Sequence, residues 1–260
     1  YHYNNGSRAS DVAKTFLEHF MGSISTDGYT VYRMFDGEES KVLHIGCWTH
    51  CRRLWVDALP SDRTAMDIID SIGDLFRNED LFRTMKLSGE QIKEKRLKLT
   101  GPILERIHHK VVMMMHDAKI MANELMRKAA NYTINQWKSL RNILKDGSAE
   151  ISNNLCEQRM KPVKLLLKNC MNIGSEAAAE NSAFIFSLIE SCKLNDIDPQ
   201  DYLKHLFECV LHGKDCDKKA LLPIFLIIHI VVGLWIPIVV IPFYRSSKIT
   251  FLKEILKWYY

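Results

Sequence analysis

Two acidic residues stand where carboxylates can do chemistry. Asp27 follows the strand-like run Ser23-Ile24-Ser25-Thr26 and precedes Gly28, which permits a tight turn. In α/β sheets, chemistry collects at the carboxyl ends of strands. Glu157 lies in GSAEISNNLCEQRMKPVKLLLKN, residues 147–169, among adjacent asparagines and a run of basic side chains. Ser152, Asn153 or Asn154 can accept a hydrogen bond from the free amides of a helix start, which puts Glu157 in the first turns of that helix. Carboxylates supply the hard oxygen ligands that magnesium or manganese requires. Two such ions about 4 Å apart can clamp the attacking and leaving oxygens of a phosphodiester. The same residues also suit a plainer account. Asp27-Gly28 would then be only a turn, and Glu157 a surface residue paired with Lys161, four positions on.

Cations are placed to meet phosphate. Arg52 and Arg53, in GCWTHCRRLW, can each hold a phosphate through paired N–H donors, although the charge pattern alone also fits a solvated basic face. Arg159, Lys161, Lys164 and Lys168 follow Glu157, with Pro162 expected to kink or end the helix. Phosphate contacts from this cluster would give affinity without sequence choice and a steep salt dependence. Cys47, His50 and Cys51 lie close enough to suggest zinc, but a structural zinc site usually takes four ligands and no second pair of matching spacing is present.

In order along the chain, TDGYTVY, GCWTHCRRLW, ISNNLCEQRMKPVKLLLKN and SLIESCKLNDIDPQDYLKHL resemble the insertion-sequence-66 family of bacterial transposases. The resemblance covers about residues 1–223. It implies a ribonuclease-H-like α/β fold in which two aspartates and a glutamate hold divalent metal, magnesium or manganese. By motif, Asp27 resembles the second aspartate and Glu157 the glutamate. The first aspartate belongs on an early strand expected before Tyr1, so the chain is expected to hold metal poorly and to be inactive alone. The implied activity is DNA transposition by metal-dependent strand cleavage and strand transfer. Its implied partners are transposon ends and target DNA, with self-association on them. The family pattern has a histidine at the position of His50 and usually no cysteine at that of Cys51, which weighs against zinc. The alternative, from another class, is a non-catalytic DNA-binding or membrane-tethered remnant in which Asp27 and Glu157 are structural.

The elements that must position these groups follow from composition and periodicity. At 260 residues and 47% hydrophobic, the chain can build a real core. A net charge of only +4 means that nucleic-acid binding has to come from local clusters. Seven scattered cysteines fit reduced thiols in the cytoplasm, not a secreted disulfide framework. No signal peptide is visible, and a start at Tyr1 suggests a fragment.

A helix is expected from Ser10 or Asp11 to about Phe20, with Val12, Phe16 and Phe20 on its buried face. Strands over 21–27 and 41–46, with a short helix or turn over 29–35 between them, predict parallel pairing. From Trp48 to Ile143 the pattern is helical, with Met66, Ile69, Ile72 and Phe76 on one stripe and Leu104, Ile107 and Val111 on another. Met113, Met114 and Met115 suit core filling. Glu150 and Ile151 return the chain to the sheet. Ala177 to Lys193 forms a helix, and Pro199 opens another carrying Tyr202, Leu203, Leu206 and Phe207. The expected layout is a catalytic domain over 1–186 with a helical insertion at about 60–146, a carboxy-terminal element over 187–223, and an apolar tail over 224–260. Leu221 to Phe243 carries no charge and approaches the ~20 residues that span a bilayer, which makes it a candidate transmembrane segment. Because the resemblance stops at Pro223, a frameshift or fusion is the preferred origin of that tail.

Overall fold

Strand β1 (Gly22–Thr26) runs parallel to β2 (Val42–Gly46), with Gly22 opposite Val42 and Thr26 opposite Gly46. The computed structural model describes residues 9–37, 39–170 and 173–211, and among these the two strands make up the sheet. The rest is mostly helical, so of the expected α/β fold the described residues show one parallel strand pair beside a larger body of helices. Helix α1 (Ser10–Phe16) stops short of Phe20 and buries none of its residues, Val12 and Phe16 being half-buried. A 3-10 segment, Thr30–Asp36, carries the crossover between the strands that parallel pairing requires.

The described residues divide into two compact units. Residues 9–158 form the first. It holds α2 (Trp48–Ala58), α3 (Ala65–Thr84), α4 (Gly89–Lys95), a π-helical turn (Arg96–Thr100), α5 (Gly101–Met115), α6 (Ala118–Ala122), α7 (Glu124–Asn135), α8 (Trp137–Arg141) and a 3-10 turn (Asn142–Leu144). In α2, Trp48, Cys51, Trp55 and Ala58 recur at three- and four-residue steps and are fully buried, the stripe that faces a core. That stripe packs on α3 and α7, and α5 closes the ring by touching both. Leu104, Ile107 and Val111 of α5 are fully buried, as their period predicts. The stripe of α3 differs: Ala65, Ile68, Ile69, Ile72 and Leu75 point inward, while Met66 is 45% exposed. Met113 is also exposed, and Met114 and Met115 only border the core. An indole N–H cannot be buried unpaired without cost. Trp48 Nε1 donates to the Leu140 carbonyl (3.1 Å) and Trp55 Nε1 to Thr133 Oγ1 (3.0 Å).

Arg96, on the π-helical turn, is 1% exposed. Its guanidinium pairs with both oxygens of Glu79 (2.8 and 2.7 Å) and donates to the carbonyls of Ile143 (3.1 Å), Asp146 (2.7 Å) and Ala149 (2.8 Å). The loop after α8 is thereby tied to α3 and the π turn. Gly147 sits in the same loop, where an added Cβ would lie 2.0 Å from the Gly89 carbonyl, so only glycine fits beneath the start of α4. Asp146 joins the loop to the sheet by accepting from the Ser23 hydroxyl. Burial works against its charge, but hydrogen bonds from Ser148 and Ser23, with Arg96 nearby, hold its carboxyl below the usual aspartate range.

The described part of the second unit, residues 159–211, contains α10 (Lys161–Cys170), α11 (Glu176–Leu194) and α12 (Pro199–Leu211), while α9 (Asn154–Arg159) ends at its first residue. Leu188, Cys192, Tyr202, Leu206 and Cys209 form its core. Phe207, on the same helix, is 54% exposed. The six described cysteines are free thiols. Among the described residues no helix is long and apolar enough to cross a membrane. The segment from Leu221 to Phe243 lies outside them.

Two outcomes are expected from the Arg96 loop. Arg96→Met leaves Glu79 charged and unpaired, and thermal melting should show a loss of about 3–5 kcal/mol. The depressed Asp146 carboxyl contributes stability that is fully present above the usual aspartate range and is lost as pH falls through its folded value. Asp146→Asn should therefore lower the melting temperature at neutral pH and flatten its decline on acidification.

Candidate functional site

Asp27 directly follows β1, as its sequence context predicts, and its side chain is exposed. Asp27 Oδ1 accepts the Tyr29 N–H (3.0 Å), a turn that Gly28 closes at φ +84°. The backbone here is clamped from the last turn and cap of α7. The Tyr132 hydroxyl donates to the Asp27 carbonyl (3.0 Å) and the Gln136 amide donates to the Gly28 carbonyl (3.1 Å). Burial raises the Tyr132 phenol, with Cys51, Cys47 and Asp27 adding to the shift, so it remains a donor at neutral pH. One residue earlier, Thr26 is held twice. Its carbonyl accepts the Cys47 N–H (3.0 Å), and its hydroxyl meets His44 Nε2 (2.7 Å). His44 Nδ1 in turn donates to Asp36 Oδ1 (2.8 Å).

Glu157 reaches this end of the unit because the Trp48 N–H, at the start of α2, donates to the Ile151 carbonyl (2.9 Å). It lies in the first turn of α9, with a carboxylate 45% exposed and Oε1 3.2 Å from His50 Nε2. The expected cap is not made by Asn153 Oδ1, which is buried without a hydrogen-bond partner. Nor do Glu157 and Lys161 share a helix. The chain turns at Met160, and Pro162 takes the second position of α10, where its missing N–H would be unpaired in any case. His50 is the partner of Glu157 instead. Tyr32 lies within electrostatic reach of both regions: burial raises its phenol first, then the Asp27 carboxylate and the Cys156 thiol.

The other sequence candidates separate by environment. Cys51 is fully buried, 3.4 Å from Thr133 Oγ1, and burial pushes its thiol up to about 12. It is a neutral core group, not a zinc thiolate. Among the described residues no three His, Cys, Asp or Glu side chains gather as a metal site. Arg52 and Arg53 lie on the exposed side of α2. Lys161, Lys164 and Lys168 are exposed on α10 at spacings that share one face. Arg159 is engaged by Glu190 (3.0 Å), a carboxylate 5% exposed that also holds Lys193 (2.6 Å). Hydrogen bonds from those two cations outweigh burial and keep the Glu190 carboxyl below its usual range. Tyr132, Gln136 and the Thr26–His44–Asp36 chain were not visible as site residues. A lone histidine inside the apolar run KVLHIG is the one sign that could have flagged the last.

The family model described as the IS66 transposase family matches residues 1–181, and that of the IS66 C-terminal element matches residues 187–224. The chain belongs to the IS66 transposase family. The chain is also similar to longer proteins of Sinorhizobium fredii. The uncharacterized protein y4jD is 29% identical over 214 residues, covering 80% of this IS66 chain and 41% of y4jD. The uncharacterized protein y4qI is 27% identical over 234 residues, covering 86% of this chain and 42% of y4qI. The IS66 chain thus spans about two fifths of the length of these relatives. No solved structure matches it.

Asp27 and Glu157 each carry exposed carboxylate oxygens, whose hardness would suit magnesium or manganese. The placement of Asp27 rests on Gly28. An added Cβ there would lie 2.6 Å from the Tyr132 hydroxyl, and φ is positive. Gly28→Ala should cost at least about 2 kcal/mol in melting experiments. Tyr132→Phe, which removes only the hydroxyl, should cost about 1 kcal/mol.

Proposed function

We propose that this IS66 member carries the phosphodiester chemistry of insertion-sequence transposition, DNA strand cleavage and strand transfer, on a ribonuclease-H-like core. Asp27 and Glu157 are its metal-holding carboxylates. The observation that carries this reading is the end of β1. An exposed carboxylate stands directly after a parallel strand whose backbone is gripped by Cys47, Tyr132 and Gln136. Such restraint keeps a ligand in place without spending its charge on a salt bridge. In this reading residues 1–186 form the catalytic domain, with the helices of about 60–146 as an insertion, and a further aspartate comes from an earlier strand.

Asp27 and Glu157 would hold magnesium or manganese, which when bound neutralises charge on the phosphate in flight. His50, against Glu157 Oε1, orients that carboxylate. Arg52, Arg53, Lys161, Lys164 and Lys168 supply phosphate contacts that position DNA without reading its sequence. Arg159 would have to leave Glu190 to join them. The DNA partners are transposon ends and target, and self-association takes place on them.

The second reading, a non-catalytic remnant, is favoured by the turn at Asp27 and the pair at Glu157, since each gives its carboxylate a structural task. Thermal melting in millimolar magnesium or manganese separates the two. Ligand at a hundredfold excess over its Kd stabilises the folded state by about 2.7 kcal/mol. A rise in melting temperature that vanishes in Asp27→Asn and in Glu157→Gln is expected; melting curves indifferent to both metals would leave the carboxylates structural.

A further inference from the structure

On the first unit, α8 and the 3-10 turn after it border a cleft of about 470 Å³ that contains neither Asp27 nor Glu157. Its surface is almost wholly apolar, from Leu97, Trp137 and Leu144 and from the hydrocarbon stems of Lys138, Arg141 and Lys145, whose charged ends are available at its margin. All three cations are exposed, and Lys138 and Arg141, three residues apart on α8, share one face of that helix. Among the described residues no acidic side chain lines the cleft. Arg141 meets Glu105 at 3.1 Å, but both are more than half exposed, and such a surface pair is easily exchanged for a phosphate. Lys138 donates to the Asp36 carbonyl, whose own carboxylate is turned to His44.

The apolar part is backed by aromatic packing. The Trp137 ring is backed by His108, with centroids 4.6 Å apart and planes tilted 35°, and meets Trp48 edge-on at 6.3 Å. Trp137 is only half-buried and Leu97 is 55% exposed, so a flat aromatic group can reach both. A duplex would present phosphates to the lysines and leave this apolar surface bare, since its bases are stacked inside. A single strand offers phosphates and base faces together.

We infer that this cleft binds unpaired, single-stranded DNA, with phosphates on Lys138, Arg141 and Lys145 and bases against Trp137, Leu97 and Leu144. The inference rests on the reading that the chain works on DNA, but not on metal chemistry at Asp27 and Glu157.

The test is fluorescence-anisotropy titration of the full chain with a labelled oligothymidine and with a hairpin duplex, in chelator, over a series of salt concentrations. The single strand should bind more tightly than the duplex. The triple variant Lys138→Ala/Arg141→Ala/Lys145→Ala should lose at least tenfold in affinity for it, and the slope of log K against log salt should fall by about two, as three lost phosphate contacts require. Leu97→Asp, at an exposed position, should weaken the single strand more than the duplex while leaving the melting temperature unchanged. An unaltered slope in the triple variant would overturn the proposal, as would equal effects of Leu97→Asp on both DNAs. Chelator in every titration keeps these outcomes separate from the metal reading: intact single-strand binding without metal-dependent stabilisation removes only the latter.

Discussion

The buried guanidinium of Arg96 is the constraint on which both candidate carboxylates depend. Taking a cation out of water costs several kcal/mol, and the cost is met only where the geometry satisfies its donors. Here Glu79 and the carbonyls of Ile143, Asp146 and Ala149 do so. Because those carbonyls belong to one loop, satisfying the charge also fixes the path of the chain between α8 and α9. Asp146 is then in place to reach Ser23 on β1, and Ile151 to receive the N–H of Trp48. The first contact anchors the strand that leads to Asp27, the second the segment that leads to Glu157.

Apolar packing and polar clamping divide the work. The ring of α2, α3, α5 and α7 excludes water around Trp48 and Trp55, which gives α7 a fixed axis. From that axis Tyr132 and Gln136 reach the turn after β1, and Thr133 satisfies Trp55 inside. The last turn of one helix therefore carries a core residue and one clamp, and the residue that caps it supplies the second. A change in core packing would be felt at the strand end as a displaced hydrogen-bond donor.

Much of the fold was legible because its signals were local. The parallel strands, the turn at Gly28, the stripe of α5 and the helix opened by Pro199 follow from period and punctuation within a few residues. The α3 stripe was misjudged because Met66 and Ile68 sit one and three positions into the helix, and only packing against α2 decides which faces inward. The exposed Met113 departs from expectation for the same reason, as apolar character does not specify a side. The positions of Asp27 after a strand and of Glu157 in a first helical turn were legible from context. Their partners were not: His50, Tyr132 and Gln136 are brought to them by tertiary contacts that leave no spacing in the chain. Arg159 looked like a free cation because its partner, Glu190, lies 31 positions away.

The π-helical turn at Arg96–Thr100 has a consequence for chain length. Residues 89–115 run as one continuous rod, and the wide turn lodges one surplus residue within it. A chain one residue shorter at this point would close as ordinary α-helix and keep Leu104, Ile107 and Val111 in phase with the core. It would lose the bulge that turns Arg96 inward. Relatives could therefore differ by a single codon here and share the same helical scaffold while lacking the means to hold the loop that serves the site.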